Sequence, residues 1–125
     1  MAGADTSFLI DVLYGLPAAV ALLKEQPDWL CVSELVVFEF LCGNLTKEKE
    51  QEFFSAVDDC LFVTFEREEA LQSARLYREL KRKGQTRSQA DVVIAASYLA
   101  NHVTTILTRN KKDFEGIPGL KVLSY

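Results

Sequence analysis

The chain has 125 residues, of which 49% are hydrophobic and 26% are charged. These are the proportions of an ordinary globular protein, and we predict a single domain over residues 1–125. A net charge of −4 argues against a protein that coats nucleic acid by bulk attraction, but not against a nuclease whose acidic site binds cations. Without a bilayer-length apolar run or a signal-peptide pattern, we expect a cytoplasmic protein that does not contact membranes.

Short apolar segments alternate with longer amphipathic ones along the chain. The short segments predict five strands, at residues 3–5, 29–32, 60–64, 104–107 and 121–123. The longer segments predict helices that begin at Thr6 or Ser7, Pro17, Ser33, Thr46, Glu66 and Ser88. This alternation predicts a three-layer α/β/α fold, with a short central parallel sheet flanked by helices. In such folds the active crevice lies beyond the carboxyl ends of the strands.

Asp5 directly follows the first predicted strand and precedes Thr6 and Ser7. One interpretation is an aspartate that caps the next helix through free backbone N–H groups. The other is a functional carboxylate at the edge of the sheet. Asp11, further along the same helix, is predicted to be a solvated residue, with a supporting role behind the metal ligands as the alternative.

Glu39 is the only charged residue between Leu35 and Cys42. A helix that is apolar nearly all round is predicted to be largely buried. Glu39 is then either one half of a buried salt bridge or part of a functional site.

Two later segments carry further acids. Asp91 lies three residues after Ser88, a spacing typical of a helix cap, and an apolar run follows it. Asn110 and Asp113 lie in a predicted turn after the fourth strand, where an Asx turn is the alternative interpretation. The hydroxyl of Thr108 is expected to bind water or a nearby carboxylate.

The predicted topology brings these acidic positions around one crevice. Buried carboxylates are rare without a partner, because an unpaired one must neutralise or bind a cation. A shared divalent metal ion is the simplest common partner. The acidic segments therefore predict metal-assisted chemistry.

Basic residues concentrate between Arg75 and Arg87 and again around Arg109. One interpretation is a helix whose cationic end complements its dipole. The other is a rim that binds phosphates beside the acidic centre, with Arg82 and Arg87 as contacts. An acidic metal centre with a basic rim is typical of a nuclease.

Other chemistry has little support in the sequence. His102 is the only histidine and no orienting acid lies near it, which argues against Ser–His or Cys–His catalysis. Neither a Walker A nor a G-x-G-x-x-G glycine pattern is present. The three cysteines lack the C-x-x-C spacing of a structural zinc site.

Four segments, in order and in spacing, resemble the signatures of PIN-domain proteins. They are Asp5–Asp11, Ser33 with Glu39 and Gly43, Gln89–Ala96, and Thr108–Phe114 followed by Ile117–Leu120. The resemblance covers nearly the whole chain. Within that family the chain resembles the VapC-like toxins of prokaryotic toxin–antitoxin pairs.

The resemblance implies a Mg²⁺- or Mn²⁺-dependent endoribonuclease built as a single PIN-like domain. The implied metal ligands and catalytic acids are Asp5, Glu39, Asp91 and Asp113. The residues expected to position water or substrate are Thr6, Ser7, Thr108 and Asn110. Such toxins form homodimers and are held inactive by a small antitoxin, so we expect both partners in addition to RNA.

Asn110 departs from the family pattern, which often has an acid at this position. Asp113, three residues later, is expected to substitute for it directly or through water. This departure favours one alternative, a PIN-like module that binds RNA or protein without cutting. A second alternative is a metal-dependent DNA nuclease of the same general fold.

Overall fold

A computed structural model describes residues 1–125 of the chain. Its five strands are β1 (Ala2–Ala4), β2 (Leu30–Ser33), β3 (Leu61–Val63), β4 (Thr105–Leu107) and β5 (Lys121–Leu123). They form one sheet in the order β3-β2-β1-β4-β5, and every neighbouring pair runs parallel. The predicted strands are all present, each within one residue of its predicted ends. The predicted α/β fold with a short parallel sheet is therefore confirmed.

Helices connect these strands and cover the sheet. They are α1 (Thr6–Leu13), α2 (Pro17–Lys24), α3 (Glu34–Leu41), α4 (Lys47–Val57), α5 (Arg67–Arg82), α6 (Gln89–Ala100) and α7 (Lys111–Phe114). The sequence predicts the first six, whereas α7 is a short helix where a turn was expected. None of these helices alone has the length and apolarity to cross a membrane; α1 and α2 meet that test only as a pair, which is bent by 108°.

A tyrosine from α6 packs on the central strand β1. All three residues of β1 are buried. A Cβ atom at Gly3 would lie 2.7 Å from the ring of Tyr98, so only glycine leaves room for that ring. The fully buried Tyr98 hydroxyl donates to the Ala4 carbonyl at 2.5 Å and accepts from the Ser33 N–H at 3.0 Å. Tyr98 thus fixes α6 against the carboxyl ends of β1 and β2.

Side chains cap three of the predicted helix starts by accepting a hydrogen bond from a first-turn N–H. They are Ser33, Thr46 and Ser88. The expectation that Thr6 or Ser7 caps the first helix is wrong, because Asp5 occupies that position. The Asp5 side chain makes no capping hydrogen bond, so the capping interpretation of Asp5 is also wrong.

The helix α3 is less buried than its apolar sequence predicts. Only Val36 and Phe40 are buried, and Phe38 is 66% exposed. Glu39 is half-buried and belongs to none of the ion pairs of the chain. The prediction of a largely buried helix is wrong, as is the alternative of a buried salt bridge at Glu39.

Candidate active site

The carboxyl edge of the sheet collects residues from several segments. The chain leaves β1 for β2 on one side and later enters β4 on the other side, which makes β1 and β4 the switch point of the sheet. Asp5 and Thr108 directly follow these two strands. Because α6 returns the chain to the start of β4, it begins at this same edge, and Asp91 lies in its first turn.

Two hydroxyl groups hold the carboxylate of Asp5. Thr108 Oγ1 donates to Oδ2 at 2.8 Å, and Ser7 Oγ donates to the same oxygen at 2.9 Å. Neither bond uses Oδ1, and Asp5 forms no ion pair. Asp5 is only 6% exposed, so a nearly buried carboxylate keeps one oxygen available to a ligand.

Hydroxyl groups hold Glu39 and Asp91 in the same manner. Thr6 Oγ1 donates to Glu39 Oε1 at 2.9 Å. Ser88 Oγ donates to Asp91 Oδ2 at 2.7 Å and accepts from the Asp91 N–H at 3.2 Å, so it caps α6 as predicted. Each of these carboxylates is therefore oriented through one oxygen, and its other oxygen accepts no hydrogen bond from the protein.

The pKa of Asp91 is raised above its ordinary value by its surroundings, which include three other acids. Burial raises this pKa, and the hydrogen bond from Ser88 partly offsets the rise. The negative charges that raise it further are those of Asp113, Asp5 and Glu39. No protein cation pairs with any of these acids. The predicted convergence of the acidic positions is thus present, whereas their role as metal ligands stays a prediction.

The last acidic segment forms the short helix α7. Asn110 is exposed at its start, and its side chain does not cap the helix. The Asn110 N–H instead donates to Thr108 Oγ1 at 3.0 Å. Asp113 is half-buried within α7, and its charge acts on Asp91. Asp113, and not Asn110, therefore supplies the negative charge from this segment.

The donor set at this edge consists of carboxylate oxygens, which are the ligands that Mg²⁺ and Mn²⁺ prefer. No three His, Cys, Asp or Glu side chains approach closely enough to hold a metal ion by themselves. Mg²⁺ keeps several of its waters and needs only one or two carboxylates, so the spacing of these acids is still compatible with Mg²⁺ binding. In charge and donor chemistry, the residues suit a hard divalent cation.

The hydroxyl groups expected at the substrate serve the carboxylates instead. Thr108 is fully buried and Ser7 is 6% exposed, so neither side chain reaches a substrate in this structure. Both hydroxyls donate to Asp5, and the half-buried Thr6 donates to Glu39. The expected contact of the Thr108 hydroxyl with a nearby carboxylate is confirmed, whereas a role of Ser7 and Thr108 in binding substrate stays a prediction.

The basic end of α5 lies beside the acidic edge. Asn101, just after α6, donates to Glu69 near the start of α5 at 3.1 Å, so the two helices run antiparallel. The end of α5 therefore lies toward the start of α6, which carries Asp91. Arg82 is exposed at this end and forms no ion pair, as a phosphate contact would require.

Arg87 has a structural role that the sequence did not predict. Its Nη1 donates to the Gln85 carbonyl at 3.1 Å, and its Nη2 donates to the Glu115 carbonyl at 2.7 Å. Backbone carbonyls therefore hold two of its three nitrogens, while the buried Nε has no hydrogen-bond partner, and a contact of Arg87 with phosphate stays a prediction. Arg87 ties the loop before α6 to the end of α7, and so holds the segments of Asp91 and Asp113 together.

Sequence reasoning missed the role of Tyr98 and did not identify the partners of Asp11. Tyr98 had a detectable signal, since it is a lone phenol in an apolar helix and lies two turns after Asp91, on the same face. Asp11 is 8% exposed, so the prediction of a solvated residue is wrong, and the alternative of a supporting role stays open. Its partners Arg109 and Tyr125 lie far away in the sequence, and no local pattern identifies them.

Comparison with known proteins establishes the family. The PIN-domain profile matches residues 4–120, a range that includes every acidic segment described above. The chain belongs to the PIN-domain family. The resemblance of its four segments to the PIN signatures is therefore confirmed.

Relatives of this PIN-domain chain are named as ribonucleases. The chain is 32% identical over 122 residues to ribonuclease VapC19 of Mycobacterium tuberculosis, covering 94% of each protein. It is 28% identical over 95 residues to ribonuclease VapC3 of Methanocaldococcus jannaschii, covering 75% of this chain and 94% of that protein. The predicted similarity to VapC proteins is thus confirmed.

Solved structures with the same PIN fold come from toxin–antitoxin complexes. A toxin–antitoxin complex from Klebsiella pneumoniae contains a chain 28% identical to this one, with a TM-score of 0.82 and coverage of 99% and 97%. VapBC2 of Rickettsia felis, solved with a DNA fragment from its promoter, has a TM-score of 0.85 at 18% identity, covering 99% and 98%. The second likeness supports the fold alone.

Proposed function

We propose that this PIN-domain chain is a divalent-metal-dependent endoribonuclease and the toxin of a toxin–antitoxin pair. The observation that carries the proposal is the group of acids at the carboxyl edge of the sheet, which no protein cation neutralises. The names of relatives at 32% and 28% identity supply the substrate class, RNA.

Mg²⁺ is the proposed cofactor, with Mn²⁺ as an alternative that the same oxygen ligands accept. The residues that would hold it are Asp5, Glu39, Asp91 and Asp113, one or two of them directly and the others through its bound waters. A bound divalent ion lowers the pKa of water and offsets negative charge that develops on the phosphate during hydrolysis.

The protein's own residues prepare this chemistry by fixing the carboxylates in advance. Ser7 and Thr108 hold one oxygen of Asp5, and Thr6 holds one oxygen of Glu39. Such hydrogen bonds reduce the reorganisation that the site needs when it binds its ligands. Arg82, exposed beside the acids, would hold the RNA backbone.

Parallel cleavage assays on single-stranded RNA and DNA of one sequence test this proposal. We expect Mg²⁺-dependent internal cleavage of the RNA and little cleavage of the DNA. Asp91→Asn should lower the rate at least about 100-fold, while Asp58→Asn, the same change at an exposed residue directly after α4, should keep it. Equal rates for the wild type and Asp91→Asn would refute the assignment, and preferential cleavage of DNA would support a DNA nuclease.

The proposed partners are a small antitoxin protein and a second copy of the chain. Large apolar side chains such as Trp29 and Phe38 are 62% and 66% exposed, which is consistent with protein surfaces that become covered. Light scattering on the purified chain tests the homodimer. Co-expression with the product of a neighbouring small gene tests the antitoxin, which should copurify and suppress cleavage.

Asn110 favours a second candidate function, a module that binds RNA without cutting it. Its exposed side chain lies at the site and carries no charge where the family often has an acid. Asn110→Asp distinguishes the two functions. If the chain is a nuclease, the wild type should cut RNA and Asn110→Asp should keep or raise the cleavage rate. If the chain is a binding module, the wild type should bind RNA but show no cleavage with Mg²⁺ or Mn²⁺.

A further inference from the structure

Asp11 is a second nearly buried carboxylate, and the proposed reaction does not use it. It lies on α1, is 8% exposed, and has a different partner at each oxygen. Arg109 Nη1 lies 3.3 Å from Oδ1, and the Tyr125 hydroxyl donates to Oδ2 at 2.5 Å. A carboxylate this buried requires such partners. They join α1, the turn after β4 and the residues after β5 at one point.

Tyr125 is well held in this arrangement. Its ring meets the ring of Phe8 edge-on, with 5.9 Å between centroids. Burial and the hydrogen bond to Asp11 both raise the pKa of Tyr125, so the phenol stays protonated and remains the donor. The other oxygen of Asp11 faces Arg109, whose side chain is 51% exposed.

The turn that contains Arg109 also positions the Ser7 and Thr108 hydroxyls, which orient Asp5. Backbone pairing between the two strands ends where the Asp5 N–H donates to the Leu107 carbonyl at 3.0 Å. Beyond that point, the Arg109 N–H donates to Ser7 Oγ at 3.2 Å, and Ser7 Oγ donates to Asp5 Oδ2 at 2.9 Å. The position of the Arg109 backbone thus decides where the Ser7 hydroxyl points.

We propose that Asp11, Arg109 and Tyr125 form a positioning triad for the Asp5 carboxylate. The triad holds the turn after β4 in place, so that Ser7 and Thr108 both keep their hydrogen bonds to Asp5 Oδ2. Its members do not themselves bind substrate or metal. The predicted effect on catalysis rests on the proposed function, whereas the effect on the geometry of the turn does not.

Tyr125→Phe is the test variant, because it removes the hydroxyl and keeps the ring against Phe8. Tyr14→Phe is the matched control, since Tyr14 is 58% exposed and its hydroxyl bonds no protein group. We expect Tyr125→Phe to lower kcat about tenfold and to weaken Mn²⁺ binding about tenfold, with KM unchanged within about twofold. Tyr14→Phe should melt as the wild type does, whereas Tyr125→Phe should melt a few degrees lower, because it leaves one oxygen of the nearly buried Asp11 without its donor.

Amide hydrogen exchange without metal or RNA reports the geometry directly. In Tyr125→Phe, exchange at the Arg109 and Asn110 amides should accelerate about tenfold, while the Asp5 amide, paired with Leu107, should not change. Asp11→Asn should have the same effects, and the double variant should add little because both changes break one network. If the wild type cuts no RNA, the proposed function is refuted, but the exchange measurement still tests the triad.

Three outcomes would overturn the triad. The first is identical exchange at Arg109 in Tyr125→Phe and Tyr14→Phe. The second is a rise in KM with kcat unchanged, which would indicate contact with substrate. The third is a loss of kcat matched by an equal loss in Tyr14→Phe, which would make the effect nonspecific.

Discussion

Gly3 leaves the space that the ring of Tyr98 fills, since a Cβ atom at Gly3 would lie 2.7 Å from that ring. This contact packs α6 against β1. Asp91 lies in the first turn of α6, and Asp5 directly follows β1. The distance between two of the proposed metal ligands therefore depends on a glycine and a tyrosine that contact neither metal nor substrate.

Gly3→Ala should destabilise the protein by about 1–3 kcal/mol, because the fully buried tyrosine has no room to move away. Urea unfolding measures the loss. Gly15→Ala is a useful control, because its cost of about 1 kcal/mol has only a backbone origin: φ is +75° and no atom lies within 4 Å of an added Cβ. A Gly3→Ala variant as stable as the wild type would show that α6 is not seated as described.

Asp91→Asn should stabilise the metal-free protein while it abolishes cleavage. Burial and the neighbouring acids raise the pKa of Asp91, so the folded state binds its proton more tightly than the unfolded chain does. Stability should therefore fall as pH rises from the ordinary carboxyl pKa through the raised one. At pH 7 we expect Asn to increase the free energy of unfolding by about 0.5 kcal/mol or less, because Asp91 is only half-buried and water screens much of the repulsion.

Urea unfolding at pH 5 and pH 8 in the presence of a chelator measures this effect, with Asp58→Asn as the control for a simple change in net charge. The difference between Asp91→Asn and the wild type should grow with pH. A variant that is less stable than the wild type at pH 8 would mean that the acids do not repel one another.

Much of this fold is local in origin, and the sequence predicts that part well. Helix caps at Ser33, Thr46 and Ser88 depend on one side chain and the next turn, so their positions follow from the residue types. The parallel alternation of strands and helices then places Asp5 and Asp91 at one edge. The parallel sheet and the gathering of acids at its carboxyl edge were therefore predictable without knowing any contact, whereas the strand order was not predicted.

The contacts between distant residues were not predictable. The hydroxyl of Thr108 was expected to bind water or a nearby carboxylate, but only the pairing of β4 with β1 identifies that carboxylate as Asp5. Likewise, Arg87 belongs to a basic run in the sequence, yet backbone carbonyls hold it. Phe38 was expected to be buried because its helix is apolar, yet it is 66% exposed. An apolar residue is buried only where the chain itself supplies a surface that covers it.

Thr6→Val should lower kcat about tenfold with little loss of stability. Valine keeps the shape of the side chain but removes the hydroxyl that donates to Glu39 Oε1 at 2.9 Å. Thr6→Ser keeps this donor and should retain most of the activity. Steady-state kinetics on a short RNA compares the three proteins, and equal kcat values for the valine and serine variants would remove Thr6 from the site.

Arg82 and Arg87 should differ when each is replaced. In an Asp91→Asn background that binds without cutting, Arg82→Ala should weaken RNA binding and reduce the salt dependence by about one unit of slope. Arg87→Lys should instead lower stability by about 1–2 kcal/mol, since lysine cannot bridge the carbonyls of Gln85 and Glu115.

Fluorescence anisotropy at several salt concentrations measures the RNA binding, and Arg67→Ala at the opposite end of α5 is the control of equal charge. If Arg67→Ala and Arg82→Ala weakened binding equally, the basic end of α5 would not be a specific RNA contact.

Calorimetric titration of Mn²⁺ into the metal-free protein tests the central claim most directly. The wild type should bind Mn²⁺ through its unneutralised carboxylates, and Asp5→Asn should weaken that binding at least about tenfold, while Asp58→Asn leaves it unchanged. Equal Mn²⁺ affinity in the wild type and Asp5→Asn, or no binding by either protein, would contradict the account.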